Sequence, residues 1–245
     1  YIIQGFDKES IAYNMPQVFE VKGSIDKAKI ENTFKNLVER HEALRTYFEV
    51  IDGEIVQKID SNYKFKLKEE VSNKSIEEIS NEFVRPFDLG EAPLFRAEVV
   101  EVQGKNYLVI DMHHIISDVV SMSILINEFV TVYNGGTLES LKLQYKDFAA
   151  WQNNFLKSEE MKKQEEYWIT MFDDEIPVLN MPTDYERPAV QSFEGDSVSF
   201  EVDKNVLSDL KDLTKKTGTT MHMVLLSAFN ILLSKYSGQE DIVVG

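Results

Sequence analysis

From residue 24 onward, apolar positions fall into helical spacing. Ile30, Phe34, Leu37 and Val38 stand at offsets of four, seven and eight and lay one apolar stripe along an amphipathic helix, with Ser24 or Asp26 available to cap its start. The period then shortens. TYFEVIDGEIVQKI is two β-rich runs around Asp52-Gly53, a dipeptide that tolerates the left-handed backbone of a tight hairpin. SIEEISNEFVRPFD predicts a helix halted near Arg85-Pro86, because a proline pushes the residue before it out of the helical region. APLFRAEVVEV and KNYLVIDMHH predict two strands joined around Gln103-Gly104. Helical spacing returns at Met122, Leu125, Ile126, Phe129 and Tyr133, with Asn134-Gly135-Gly136 as the stop, and KSEEMKKQEEYWITMF predicts a further helix.

Between Ile176 and Val190 the prolines Pro177, Pro182 and Pro188 mark an irregular crossing. The chain therefore divides into a lobe over 1–175, a linker over 176–190 and the start of a second lobe over 191–245. That last part predicts a strand, DSVSFEV, a helix carrying Val206, Leu210 and Leu213 and ending at Gly218, a helix carrying Val224, Leu225, Ala228, Phe229, Leu232 and Leu233, and a closing strand, DIVVG. Mixed strands and helices without an internal repeat give an α/β or α+β class.

Composition narrows the function. With 245 residues, 43% of them hydrophobic, the chain can bury the core of one large domain or two small lobes. A net charge of -16 repels nucleic acid and anionic membranes alike, so neither is an expected partner. No apolar run approaches the roughly 20 residues that span a bilayer. The absence of cysteine removes disulfides, thiolate metal sites and cysteine nucleophiles, and suits a reducing, cytoplasmic compartment. A start at Tyr1 and an end inside a strand-like run read as a piece of something longer.

Chemistry concentrates in DMHHIISDVV, residues 111–120. If 107–114 is extended, Leu108, Ile110, Met112 and His114 share one face while Val109, Asp111 and His113 share the other, so the adjacent histidines diverge. Divergence argues against a metal site, whose ligands must converge. His113 is expected to hold the turn by bonding backbone or Asp118. His114 closes the apolar face where the chain leaves the sheet; it is either a hydrogen-bonded structural ring or a neutral imidazole that meets a substrate. Asp118 is open to two roles, N-cap of the following helix, with Ser117 as a rival cap, or carboxylate partner of Arg45 in RHEALRTYF. Arg45 in turn is either that partner or a solvated arginine at a helix end.

MHHIISD with VSM just after it, RHEALRTYF and YKDFAAW resemble three successive signature motifs of the condensation domains of nonribosomal peptide synthetases, and RPFDLGEAPLFR and SKYSGQEDIVVG are phrases that such domains share. The resemblance runs from about Tyr13 to the end. It implies a chloramphenicol acetyltransferase-like fold, an α/β (α+β) two-layer sandwich, with the second lobe incomplete. It implies amide formation between a donor aminoacyl or peptidyl thioester and the α-amine of an acceptor aminoacyl thioester. Both substrates ride on phosphopantetheine arms of carrier domains, beside an adenylation domain, with no cofactor or metal bound directly. Position by position, His114 corresponds to the histidine that hydrogen-bonds the amine, as general base or positioning group. Asp118 is then structural through Arg45, His113 supports the loop, and Asp147 and Trp151 support the site. One position departs from the family: Val119 stands where glycine is usual. The favoured explanation is that Val119 begins the helix with comfortable backbone and only its side chain intrudes on the substrate path.

Other activities fit less well. An epimerisation domain shares the double histidine, whereas the wording of RHEALRTYF and YKDFAAW favours condensation. A CoA-dependent acyltransferase would not need the synthetase phrases, and heterocyclisation would replace the double histidine with an aspartate-rich motif. A silent carrier-docking module is the alternative outside enzymes, with Val119 its only support. The 245-residue piece is expected to be inactive alone, and its exposed helix over 220–236 to favour self-association.

Overall fold

The computed structural model describes residues 1–245 apart from Ser24, Lys64, Glu175, 191–194, Ser197 and Gly245. Two compact units divide the chain, Tyr1–Lys157 and Ser158–Gly245, so the proline-rich 176–190 segment lies inside the second.

The first unit is built on a four-stranded sheet. Its strands are β1 (Gln17–Val21), β4 (Lys68–Ser72), β5 (Phe95–Val102) and β6 (Lys105–Met112), in the order β1-β6-β5-β4. β1 and β5 run antiparallel to β6, and β4 runs parallel to β5. The β5–β6 turn takes positive φ at Gln103 and Gly104, 51° and 77°, the backbone of a two-residue hairpin. Asp52 and Gly53 do the same between β2 (Thr46–Ile51) and β3 (Glu54–Ile59), a separate two-stranded sheet.

Register decides what each sheet face carries. Phe95 pairs with Met112, Ala97 with Ile110 and Val99 with Leu108, and all six side chains are buried on one face. Against that face pack α2 (Lys27–Arg40), through Ile30, Phe34, Leu37 and Val38, and α4 (Val119–Tyr133), through Met122 and Leu125. The helix stripe read from the sequence is therefore the core of this unit. The opposite face carries Val100, Val102 and Val109, covered by Ile79 and Phe83 of α3 (Ile76–Phe83). Asp26 caps α2 by accepting from Lys29 N at 2.9 Å; Ser24, its rival, lies outside the described residues. Ser75 and Glu78 form a reciprocal capping box on α3.

Four elements carried no usable signal in the sequence. The helix α1 (Ile2–Phe6) is one short turn-and-a-half. β1 and β4 are sheet edges whose mostly exposed residues do not alternate strictly. α5 (Tyr145–Phe155) has no buried residue; its apolar side chains Tyr145, Phe148, Trp151 and Phe155 form a largely exposed aromatic row instead of a core stripe.

In the second unit, α6 (Glu159–Met171), α7 (Lys204–Thr217) and α8 (Met221–Ser237) are helices, with Gly218 stopping α7 at φ 68°. Gln239 ties the proline-rich stretch down, accepting from Asn180 N at 2.8 Å and donating to Val178 O at 3.0 Å. The expected strands DSVSFEV and DIVVG are not strands among the described residues. A strand needs a hydrogen-bonded neighbour, and the described elements of this unit are all helices.

Candidate active site

A groove and a cavity in the first unit differ in chemistry. A groove of about 720 Å³ is lined by Glu31, Glu69, Glu70, Glu82 and Glu98 with Lys66, Lys68 and Arg85, a mixed-charge surface without histidine or hydroxyl nucleophile. A cavity of about 470 Å³ holds His114 instead. Its lining comes from three separated stretches: His41 to Phe48 of RHEALRTYF, Met112 to Asp118 of MHHIISD, and Tyr145 of YKDFAAW. Gln57 of β3 and Ser121, Ile124 and Leu125 of α4 complete it. The walls are mainly apolar, with His41, Thr46, Gln57, Ser117, Asp118 and Ser121 among the polar groups.

The two histidines part at the end of β6. His113 is 3% exposed, and its Nδ1 accepts from Ile115 N at 3.0 Å, which fixes the turn through backbone. The Phe87 ring meets it edge-on and Tyr13 lies beside it. Burial among these groups lowers the His113 imidazole from 6.5 to about 4, so at neutral pH it is an uncharged structural ring. His114 is exposed to the cavity, with its main chain held by donation from His114 N to Tyr13 O at 2.8 Å.

Asp118 and Arg45 do not meet, which corrects the ion pair expected between them. Asp118 is the exposed N-cap of α4, accepting from Ser121 N at 2.7 Å and Ser121 Oγ at 2.6 Å; those bonds hold its carboxyl below the usual range. Arg45 turns the other way and donates to the carbonyls of Val38 at 3.1 Å, Glu39 at 3.3 Å and Asp60 at 3.4 Å. It closes the C-terminal turn of α2, where unpaired carbonyls attract a guanidinium. Sequence separation alone could not choose between two acceptors of a cation.

Val119 is the first residue of α4 and has no positive φ, so the backbone accepts it without strain. Its side chain is 74% exposed. Asp147 caps α5 by accepting from Gln144 N at 2.8 Å. Trp151 is 56% exposed and stacks on Phe155, its centroid 5.4 Å away.

Two networks, one beside the cavity and one on the far face of the sheet, escaped the sequence. Glu128 of α4 takes Arg40 Nε and Nη2 at 3.1–3.2 Å and His41 Nε2 at 2.5 Å. Burial pushes its carboxyl up, but those hydrogen bonds and charges outweigh it and leave the group below the usual range. Gln144 adds a bond to Arg40 O at 2.8 Å, so the RHE of RHEALRTYF staples α2 to α4 and to the start of α5. On the other sheet face Arg96 and Asp111 are direct cross-strand partners, 3.5 Å apart. Among the described residues no group of three His, Cys, Asp or Glu side chains could hold a metal ion.

Comparison with known proteins fits the convergence of these motifs on one cavity. Gramicidin S synthase 2 of Brevibacillus brevis is 49% identical over 247 residues, covering 100% of this chain but 6% of that protein. The chain thus spans a small part of the relatives it matches. Among solved structures, the epimerization domain from the third module of tyrocidine synthetase B superposes with a TM-score of 0.81 at 20% identity, covering 98% of this chain and 59% of that one. The first condensation domain of the calcium-dependent antibiotic synthetase gives 0.78 at 17% identity, covering 99% and 60%. These likenesses carry the fold, which is chloramphenicol acetyltransferase-like. The model of the condensation-domain family matches residues 1–245, and the chain belongs to the condensation domains of nonribosomal peptide synthetases.

Proposed function

We propose that the complete domain containing this chain joins a donor aminoacyl or peptidyl thioester to the α-amine of an acceptor aminoacyl thioester, both presented on phosphopantetheine arms of carrier domains. The observation that carries this is one cavity lined by all three motif stretches, with His114 exposed in it. The amine nitrogen attacks the thioester carbonyl, the C–N bond forms, the C–S bond breaks and the donor arm leaves as a thiol. His114 holds the amine by a hydrogen bond, receives the proton it sheds and passes that proton to the departing sulfur. Asp118 and the buried His113 keep the loop in place, the first by starting α4 and the second by holding Ile115 N. Arg45 and Asp147 act at one remove, at the ends of α2 and α5.

The 1–175 lobe, the 176–190 linker and the 191–245 section are then parts of that larger domain. A positioned base contributes roughly 100- to 10,000-fold, whereas holding two reactants together reaches effective molarities of about 100,000 M or more, so presentation by two carriers supplies the larger share.

The test gives the complete domain two preloaded carriers in deuterated buffer. Amide product without deuterium at the donor α-carbon is expected. Deuterium exchange at that carbon without amide would make the domain an epimerase, and neither product would make it a silent docking module.

A further inference from the structure

The place of His114 in the cavity is set by its main chain, where His114 N donates to Tyr13 O at 2.8 Å and the preceding His113 N donates to Leu94 O at 3.0 Å. Tyr13 belongs to no strand. What fixes it is its neighbour Asn14, which forms an isolated antiparallel bridge with His113 and whose Nδ2 donates to Asp111 Oδ2 at 2.7 Å and to Arg85 O at 2.9 Å. Met15 N donates to Met112 O at 2.8 Å on the far side of the same pin. Asp111 is completely buried and faces Arg96. Arg96 in turn donates to Arg85 O at 2.7 Å and lies 3.6 Å over the Phe87 ring, whose edge meets His113.

We propose that Asn14, held by Asp111 and Arg96 on the sheet face away from the cavity, is a positioning residue that sets the height of His114 in the site. None of the three lines the cavity. The inference rests on the role given above to His114.

The chain of contacts has a direction. Fully buried Asp111 and largely buried Arg96 face each other across two central strands, so register and packing fix the pair. Asn14 reads that fixed carboxylate and transmits its position one residue back to Tyr13 O.

Two substitutions in the complete domain separate positioning from stability. Asn14→Ala deletes both amide bonds at a half-buried position. Asp111→Asn keeps an oxygen for Asn14 to bond but removes the charge facing buried Arg96. Positioning predicts crossed effects. Asn14→Ala lowers kcat for amide formation about tenfold or more, changes KM for the loaded acceptor carrier less than about twofold, and speeds hydrogen exchange at the His114 amide. Asp111→Asn lowers Tm more than Asn14→Ala does but keeps kcat within about threefold. In a His114→Ala background, Asn14→Ala costs no further rate. The inference is overturned if kcat falls in the order of Tm, with Asp111→Asn the slower enzyme, or if Asn14→Ala keeps full rate. It is overturned separately if hydrogen exchange at His114 is unchanged in Asn14→Ala. Failure of the site reading looks different: His114→Ala itself then keeps full rate, while the exchange measurement still reports on the clamp.

Discussion

Buried, uncharged His113 makes the complete domain vulnerable to mild acid in a calculable way. The folded imidazole is pushed down to about 4 by burial, while in the unfolded chain it titrates near 6.5. Above that upper value both states are neutral and the residue contributes no pH dependence. As the pH falls from 6.5 towards 4, the unfolded chain takes up a proton that the folded one refuses, and stability is lost. The full difference is about 3 kcal/mol, and most of it has gone by pH 4.5. At 3% exposure, solvent screening does little to reduce it. His113→Asn offers an oxygen to Ile115 N but no titrating ring, so it isolates this contribution from the other groups that titrate over the same range. Urea unfolding at pH 7 and pH 4.5 should show the parent losing roughly 2 to 3 kcal/mol more than His113→Asn between the two pH values. Equal losses would refute the buried neutral ring.

Two further outcomes follow from the site geometry. Because Arg45 and Asp118 serve different helix ends, the Tm shift of the double alanine variant should equal the sum of the two single shifts; strong non-additivity in thermal unfolding would restore the ion pair between them. Val119→Gly should change stability by no more than about 0.5 kcal/mol, since the position is an exposed first helical turn, and should raise turnover where the side chain narrows the acceptor path; an unchanged single-turnover rate would remove Val119 from that path.

The sequence was most readable where period and burial agree. Ile30, Phe34, Leu37 and Val38 showed their helix and their core face together, because the same stripe that sets the period is the one the sheet covers. The hairpin turns at Asp52-Gly53 and Gln103-Gly104 were legible because few residues accept that backbone. Alternation along 107–114 separated His113 from His114, and the structure places the first in the interior and the second at the cavity. Legibility ended where a charge had several acceptors in reach. Arg45 has backbone carbonyls of its own helix end, which no motif reveals, and it takes them. Glu128 and Asp111 meet their arginines across helices and strands whose relative register exists only in the folded chain. DSVSFEV and DIVVG have the alternation or β-branching of strands, yet composition supplies no neighbour to pair with.

The account stands on His114 as the group that meets the attacking amine. Single-turnover amide formation from two preloaded carriers, compared between the parent domain and His114→Ala, reads that claim directly. The account predicts a rate lower by roughly 100- to 10,000-fold, with donor loading and Tm unchanged. A His114→Ala domain that stays folded and forms amide at the full rate would contradict it.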